Sequence, residues 1–588
     1  MICIEFLSRE INRNENIKGI KINNIEIKQS LFADDASFLV DNDRKSFETL
    51  VHILETFENT SGLKLNIKKC IVLKIGSIKN KNFKYCTNKK FIWTSISAKT
   101  LGITFYNDYA NTTKYNLADK ILEFENCLER WKKWKLSLIG KITVLKTFAI
   151  PKLVYPLTVL TNPDESVIKE LKSKLYSFLW NDKPDKISRN QIIQDYKYGG
   201  LRMIDIESFI DGLKSTWVKR IIYQQKSNIS ILYKSMLNEF GSEAVFEGNI
   251  YYEDINRMGI PSVFLINVLK VWSQINYKEN VENIGKEIIW NNSKIKDYNQ
   301  TMFFYKSWYD RGIKYIEHFY NYIDRSFYDF QTFKNLYDVK DSDFLKYNTL
   351  INSISIAWKD KLRTETINCP HGLSLLKKIN DKMKFSKFFY TKLVETKRPI
   401  FCKAKTKWHD DLSENNIEWK DTFIQPLRLT IDTKLREFQY KYLMRIIPNN
   451  QFLLKCHLKT HSLCDFCCMA IETNKHIFGD CNVVQELWHD IKIWLQTKLN
   501  IGVFQQFSYQ AISLNTNIWS TDNKLNKNIN FIILLTKFFI YSKTLQGEIP
   551  KFEVFLRYFE YRLKIEETIA LVKNNYDYYS DTWDKFNN

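Results

Sequence analysis

Near the amino end, apolar and polar residues alternate in two adjacent stretches. Ile20-Lys21-Ile22 and Ile25-Glu26-Ile27 flank Asn23-Asn24, and Leu31-Phe32-Ala33 and Ala36-Ser37-Phe38-Leu39-Val40 flank Asp34-Asp35. A period of two on either side of turn-forming residues predicts two hairpins, the first through a type I′ Asn-Asn turn. Aspartates are poor strand formers, so Asp34 and Asp35 belong at the tip of the second hairpin, with both carboxylates projecting from one end. The period then changes to 3.6. Phe47, Leu50, Val51, Leu54 and Phe57 predict a helix with Ser46 as N-cap, ended by Ser61-Gly62 before a strand through Leu63, Leu65 and Ile67. A further strand is expected at Thr100-Leu101-Gly102-Ile103-Thr104-Phe105. Strand, acidic turn, strand, helix, glycine and strand make an α+β, palm-like order.

Beyond residue 110 the pattern is helical. Leu117, Ile121, Phe124, Leu128, Trp131 and Trp134 share one face of a helix expected to end near Leu136, with Lys120, Arg130, Lys132, Lys133 and Lys135 on much of the remainder. Ser137 can cap a second helix carrying Ile142, Leu145 and Phe148 and stopped by Pro151. Asn162-Pro163-Asp164-Glu165 starts a third, with Val167, Leu171, Leu175 and Phe178. The stretch 226–460 is aromatic and helical in composition; Phe303, Phe304, Tyr305, Trp308 and Tyr309 read as core, and Leu435, Phe438, Tyr442 and Leu443 as a helical face. Near the carboxyl end Val484, Leu487, Trp488, Ile491 and Leu495 continue the pattern. Ile529 to Tyr541 is strongly apolar, but with Lys537 inside it and about 20 residues needed for a span, it reads as a buried helix, and no membrane association is expected. Only 17 Gly and 10 Pro in 588 residues favour long helices and exclude collagen-like and low-complexity classes.

Charge narrows the class of partner. The chain carries 87 Lys+Arg against 66 Asp+Glu, a net +21, which points to polyanions and first to nucleic acid. A gene of AT-rich base composition, which raises Lys with Asn, Ile, Phe and Tyr, accounts for the same excess without selection for binding. The densest basic stretch runs from Lys377 to Lys407, with eleven Lys/Arg against Asp381 and Glu395, interleaved with Phe385, Phe388, Phe389, Tyr390 and Phe401. Phosphate neutralisation with base stacking and a solvated helix with a basic linker both fit it. The start, Met1-Ile2-Cys3-Ile4-Glu5, has no basic n-region, so no secretion signal is expected and the compartment reads as cytosol or nucleus. Eleven cysteines there are expected as thiols, and five of them (Cys456, Cys464, Cys467, Cys468, Cys481) cluster. Cys464-x2-Cys467-x8-His476-x4-Cys481 has the spacing of a structural Zn²⁺ site: the short Cys-x2-Cys loop brings two thiolates to one ion, and His476 and Cys481 complete a Cys₃His tetrahedron. Cys456, His457, His461 and Cys468 crowd the same region as alternative ligands.

Phe32-Ala33-Asp34-Asp35, then Ser61-Gly62-Leu63-Lys64-Leu65-Asn66-Ile67-Lys68-Lys69, then Leu101-Gly102-Ile103 resemble three successive blocks of the reverse transcriptase of non-LTR (LINE-type) retrotransposons. Trp131-Lys132-Lys133-Trp134-Lys135-Leu136-Ser137-Leu138-Ile139-Gly140-Lys141, Phe178-Leu179-Trp180-Asn181 and Tyr198-Gly199-Gly200-Leu201 are similar to its thumb, and the Cys/His set to its terminal knuckle. The resemblance implies an RNA-directed DNA polymerase acting on an RNA template and a DNA primer or target. Asp34 and Asp35 would then be catalytic ligands of Mg²⁺ or Mn²⁺, Lys69 would lie near the incoming nucleotide, and Lys132, Lys133, Lys135 and Lys141 would contact nucleic acid. It implies an α+β chain: residues 1–108 a small partial palm sheet, 109–225 a helical thumb, 226–408 a helical middle with the basic stretch 377–407, 409–500 a helix plus the zinc knuckle, and 501–588 a helical tail. It also implies a further metal-binding aspartate on an earlier strand and a Gly-rich segment, both expected before Met1, so this polypeptide alone is expected not to polymerise DNA. The alternative is a non-catalytic RNA- or DNA-binding protein that keeps the basic helices and the knuckle.

Overall fold

The computed structural model describes residues 2–22, 25–33, 35–85, 87–224, 227–365, 375–378, 384–413, 416–499 and 507–587. It is 60% helix and 7% strand, so the expected α+β class holds with helices dominating. Among the described residues the strands form five separate two-stranded ladders and no larger palm sheet. The chain divides into two compact units that interleave in sequence: Met1–Cys127, Ala149–Lys172 and Ile206–Leu393 make one, and Leu128–Phe148, Ser173–Asp205 and Val394–Asn588 the other.

The first unit opens with α1 (Ile2–Arg13). Strands β1 (Ile20–Ile22) and β2 (Ile25–Ile27) pair antiparallel as the alternation predicts, Ile22 opposite Ile25; the Asn23-Asn24 turn lies outside the described residues. Strands β3 (Gln29–Phe32) and β4 (Asp35–Phe38) form the second hairpin. Helix α2 (Arg44–Ser61) ends at Gly62, whose φ of 73° suits the left-handed cap position. Its N-cap is Asp43, not Ser46: the Asp43 side chain accepts from the Lys45 N–H. Ser46 is buried inside the helix, donating to the Asn16 carbonyl and accepting from the Lys18 N–H. Leu7, Ile11 and Ile17 pack on Leu50, Ile53 and Leu54.

Two strand expectations are corrected. Residues 63–66 are not a strand; a 3₁₀ turn over Ile67–Lys69 follows, and β5 (Ile71–Leu73) pairs in parallel with β6 (Ile92–Thr94). Ile71-Val72-Leu73 holds two β-branched residues in a row and is the better strand former. The stretch Thr100–Phe105 is not one strand but the turn of a hairpin between β7 (Ser97–Thr100) and β8 (Ile103–Tyr106). Leu101 and Gly102, at φ 48° and 79°, make the two-residue turn.

Helix α3 (Tyr109–Lys132) buries Leu117, Phe124 and Leu128 but stops four residues before its expected end. Trp134 therefore falls off the buried face. Ser137 caps α4 (Leu138–Val144), accepting from the Gly140 N–H at 3.1 Å. After one π turn, Pro151 begins α5 (Pro151–Val159), where its missing N–H costs nothing. Helix α6 (Glu165–Trp180) buries Leu171, Leu175 and Phe178 as predicted.

Later in the first unit, the helices Ile206–Tyr223 and Val263–Asn276 enclose a core that includes Phe385, Phe389 and Leu393. A separate aromatic core gathers Trp290, Phe303, Trp308, Phe319 and Phe333, so the aromatic run at 303–309 is core, as its pattern suggests. In the second unit, the helix Thr433–Leu443 packs Leu435, Phe438 and Tyr442 against the buried helix Asn523–Gln546 and the terminal helices Phe552–Val572 and Tyr576–Asn587. Among the described residues no single helix is long and apolar enough to cross a membrane.

Candidate metal centre and nucleic-acid interface

Cys464, Cys467, His476 and Cys481 converge, their ligand atoms all within 4.8 Å of one another, and among the described residues they are the only such cluster of three or more His, Cys, Asp or Glu. Local backbone chemistry builds it. A bridge between Leu463 and Ile471 closes the loop, the Cys464 N–H donates to the Ala470 carbonyl at 2.8 Å, and the Cys468 N–H donates to the Cys464 carbonyl at 2.9 Å. His476 opens a π turn, His476–Asp480, and Cys481 follows at the N-terminus of the helix Asn482–Leu499. The wider π turn and the helix start bring both residues back over the Cys-x2-Cys loop.

The donor set fits Zn²⁺. Cys464 Sγ and Cys481 Sγ are 4.0 Å apart, and Cys467 Sγ and His476 Nε2 3.4 Å. A tetrahedral ion with Zn–S of about 2.3 Å and Zn–N of about 2.0 Å has ligand–ligand edges of roughly 3.5–3.8 Å. The hydrogen bond between the two buried thiols pushes Cys464 up, while the same bond and the N–H groups of Val484 and Val483 draw Cys481 down. Cys456, His457, His461 and Cys468, the alternatives in the sequence, are exposed and stand outside the cluster.

Sequence reasoning missed the support behind these ligands. Glu472 is buried, its carboxylate accepting from the Asn450 N–H at 2.8 Å and from Asn450 Nδ2 at 3.1 Å, and Asn450 Nδ2 also donates to the Leu463 carbonyl at 2.8 Å. Burial pushes the Glu472 carboxyl up. Phe478, between His476 and Cys481, is buried against Phe438 and Tyr442, and its carbonyl accepts from Trp488 Nε1 at 3.0 Å. The knuckle is thus welded into the core of its unit. A Glu among apolar neighbours in a Cys-rich loop was the available signal.

The acidic hairpin is fixed at its base. Gln29 Nε2 donates to the carbonyl and hydroxyl of Ser8, both at 2.8 Å, and Lys28 Nζ to the Asn14 carbonyl at 2.8 Å and the Asn12 carbonyl at 3.3 Å. The last pair of the ladder is Phe32 with Asp35, and Ala33, next to Phe32, takes a φ of 52°. Asp35 is exposed at this tip, and Asp34 lies outside the described residues. A carboxylate on an exposed turn is the donor type that hard divalent cations take. Among the described residues, however, no set of three His, Cys, Asp or Glu includes Asp35. Lys69 is exposed on its 3₁₀ turn.

The four lysines expected to contact nucleic acid separate. Lys133 and Lys135 are exposed and, among the described residues, have no acidic partner within ion-pair distance. Lys132 is half-buried and paired with Glu129 at 2.8 Å and Asp182 at 3.5 Å; the Glu129 hydrogen bond raises its pKa. Lys141 departs from the expectation of a phosphate contact: it is 5% exposed, and its Nζ donates to the Phe178 and Leu179 carbonyls and to Asn181 Oδ1, at 2.9, 3.0 and 2.5 Å. It caps the end of α6. In the basic stretch, Phe385, Phe388 and Phe389 are core or packed on it, which removes them as base-stacking platforms; Asp381 lies outside the described residues. Lys397 pairs with Asp205 at 2.5 Å and Arg398 lies 3.5 Å over the Tyr198 ring, whereas Phe401 is exposed.

The glycine pair of the thumb-like segment answers to packing. A Cβ on Gly200 would stand 2.0 Å from the Gln194 carbonyl oxygen, and one on Gly199 2.8 Å from the Phe423 ring. No family model matches the chain.

Proposed function

We propose that this chain is the palm, thumb and knuckle portion of a LINE-type retrotransposon reverse transcriptase and that it binds an RNA template with its DNA primer or target. The observation that carries this reading is the β3–β4 hairpin, which holds Asp35 exposed at its end while its base is anchored through Gln29 and Lys28 to α1. The helix and left-handed Gly62 cap that follow, and the turn at Leu101-Gly102, support it by matching the order of the resembling blocks. Asp34 and Asp35 would hold Mg²⁺ or Mn²⁺, which when bound activates a primer hydroxyl and offsets charge on the transferring phosphate. Lys133 and Lys135 neutralise backbone phosphates without reading sequence. Zn²⁺ on Cys464, Cys467, His476 and Cys481 is structural: protein fills all four positions and none remains for a reactant.

A second reading, a non-catalytic RNA- or DNA-binding protein with a structural zinc knuckle, is favoured by the absence of any three-donor set around Asp35 among the described residues. Equilibrium binding of the full zinc-loaded chain to a labelled RNA–DNA template-primer, across a salt series with and without Mg²⁺, separates the two. The polymerase reading predicts salt-sensitive binding that Mg²⁺ strengthens and that loses this Mg²⁺ effect in the double variant Asp34→Ala, Asp35→Ala. Salt-sensitive binding indifferent to Mg²⁺ and to both substitutions selects the second reading. A chain with no salt-sensitive affinity for RNA or DNA overturns both.

A further inference from the structure

Among the described residues, fourteen of the fifteen tryptophans are buried or half-buried; the exception is Trp134, 66% exposed. Trp131 stacks on Phe148 with ring centroids 5.2 Å apart, Trp217 carries Arg220 at 4.6 Å and Trp408 carries Arg445 at 4.4 Å. Trp134 has neither a ring nor a cation partner among the described residues. No side chain offers more apolar area than Trp, so an open indole face is the one exposure a fold has most reason to remove.

The turn that presents it is ordered from both sides. The Trp134 N–H donates to the Trp131 carbonyl at 3.2 Å, closing the end of α3, and the Leu136 N–H donates to the Trp134 carbonyl at 2.9 Å, just before Ser137 caps α4. Lys133 and Lys135 flank it, both exposed and without acidic partners among the described residues. The neighbouring acids, Glu129 and Asp182, are both taken by Lys132. Lys133, Trp134 and Lys135 are thus three consecutive exposed side chains on a turn hydrogen-bonded at both ends, and among the described residues neither ammonium group has an acidic partner.

Ammonium groups fit phosphates as point charges, and an indole face fits an unpaired base of any identity. Bases inside a duplex have no free face, so the ligand is single-stranded. We propose that Lys133, Trp134 and Lys135 form a contact for single-stranded nucleic acid in which the ring stacks on one unpaired base while the two lysines hold adjacent phosphates. This rests on the nucleic-acid reading above and narrows it to an unpaired segment, such as template beyond a primer end.

The test is binding of the full zinc-loaded chain to end-labelled oligouridine and, separately, to a blunt RNA–DNA hybrid. Trp134→Ala should weaken oligouridine binding about five- to a hundred-fold, leave its salt dependence unchanged because no charge is removed, and spare the hybrid. Trp134→Phe should recover most of the loss. The pair Lys133→Ala, Lys135→Ala should flatten the slope of log affinity against log salt by roughly 1.4, for two single-strand phosphates. Oligouridine affinity untouched by Trp134→Ala, or equal losses for oligouridine and hybrid that Trp134→Phe does not restore, overturns the proposal. So does a Trp134→Ala effect confined to self-association, the outcome of a protein-docking surface. If the unaltered chain binds hybrid but not oligouridine, this inference fails and the broader one stands; if it binds neither, both fail.

Discussion

Three lysines commit their ammonium groups to the carbonyl ends of helices. Lys28 donates to the Asn12 and Asn14 carbonyls at the end of α1, Lys141 to those of Phe178 and Leu179 in α6, and Lys214 to that of Leu160 just past α5. Each satisfies orphan acceptors where the helix dipole favours a cation. Burial has a cost that shows in titration: desolvation lowers Lys214 to about 7, partly opposed by Asp211. Between pH 7 and about 10.5 the unfolded chain keeps a proton on this amine that the folded chain has shed, so stability rises with pH across that window. Buried Lys537, which donates to Gln439 Oε1 at 2.7 Å and is also held well below its ordinary value by burial, acts in the same direction. Urea unfolding at pH 7 and pH 9.5 should show the native chain gaining stability on the alkaline side, and Lys214→Met gaining measurably less. Equal gains in the two proteins would contradict this account of Lys214. None of it was legible in the sequence, because a lysine at a helix end and a lysine facing phosphate are the same letter. The expectation for Lys141 failed for that reason, whereas Lys133 and Lys135 are exposed.

At the scale of elements, the sequence was clearest where one residue type carries the geometry. Gly62 ends α2, Ser137 starts α4, and the spacing Cys-x2-Cys-x8-His-x4-Cys named the four residues that converge and could hold a metal. Hairpins with adjacent partners were readable too, from Ile20 opposite Ile27 to Leu31 opposite Ala36. The parallel pairing of β5 with β6 was not, since the partner lies across a long connection and no local alternation encodes it. Nor was the buried Glu472–Asn450 pair, whose carboxylate matters only once the knuckle loop has closed over it. Because ligand convergence requires that closure, metal binding and local folding are one equilibrium. The purified chain should hold one Zn²⁺. Chelation, or Cys464→Ser or Cys481→Ser, should remove it and lower the unfolding temperature, while Cys456→Ser and Cys468→Ser leave both unchanged. Metal analysis with thermal unfolding checks this; a chain that keeps its zinc after Cys481→Ser has a different ligand set.

For the whole molecule, a net charge of +21 suggested a polyanion, and the structure tells apart the lysines that can serve one from those that cannot. Lys28, Lys141, Lys214 and Lys537 are internal. The aromatics of the basic stretch are largely core, so the stretch contributes charge and little stacking. Compositional charge therefore overstates what the surface offers a polyanion; the turn at Lys133-Trp134-Lys135 joins exposed charge to an exposed ring, as Phe401 does beside Lys403. The reading as a polymerase portion hangs on the acidic hairpin taking a divalent cation beside bound nucleic acid. Iron-directed cleavage tests this most directly: Fe²⁺ replaces Mg²⁺ on the full chain with template-primer bound, and peroxide and ascorbate generate radicals that cut the polypeptide next to the ion. The account predicts cuts at the β3–β4 tip, around residues 32–37, that excess Mg²⁺ suppresses and that Asp34→Ala with Asp35→Ala abolishes. An intact hairpin, or the same cuts in the doubly substituted chain, would contradict it.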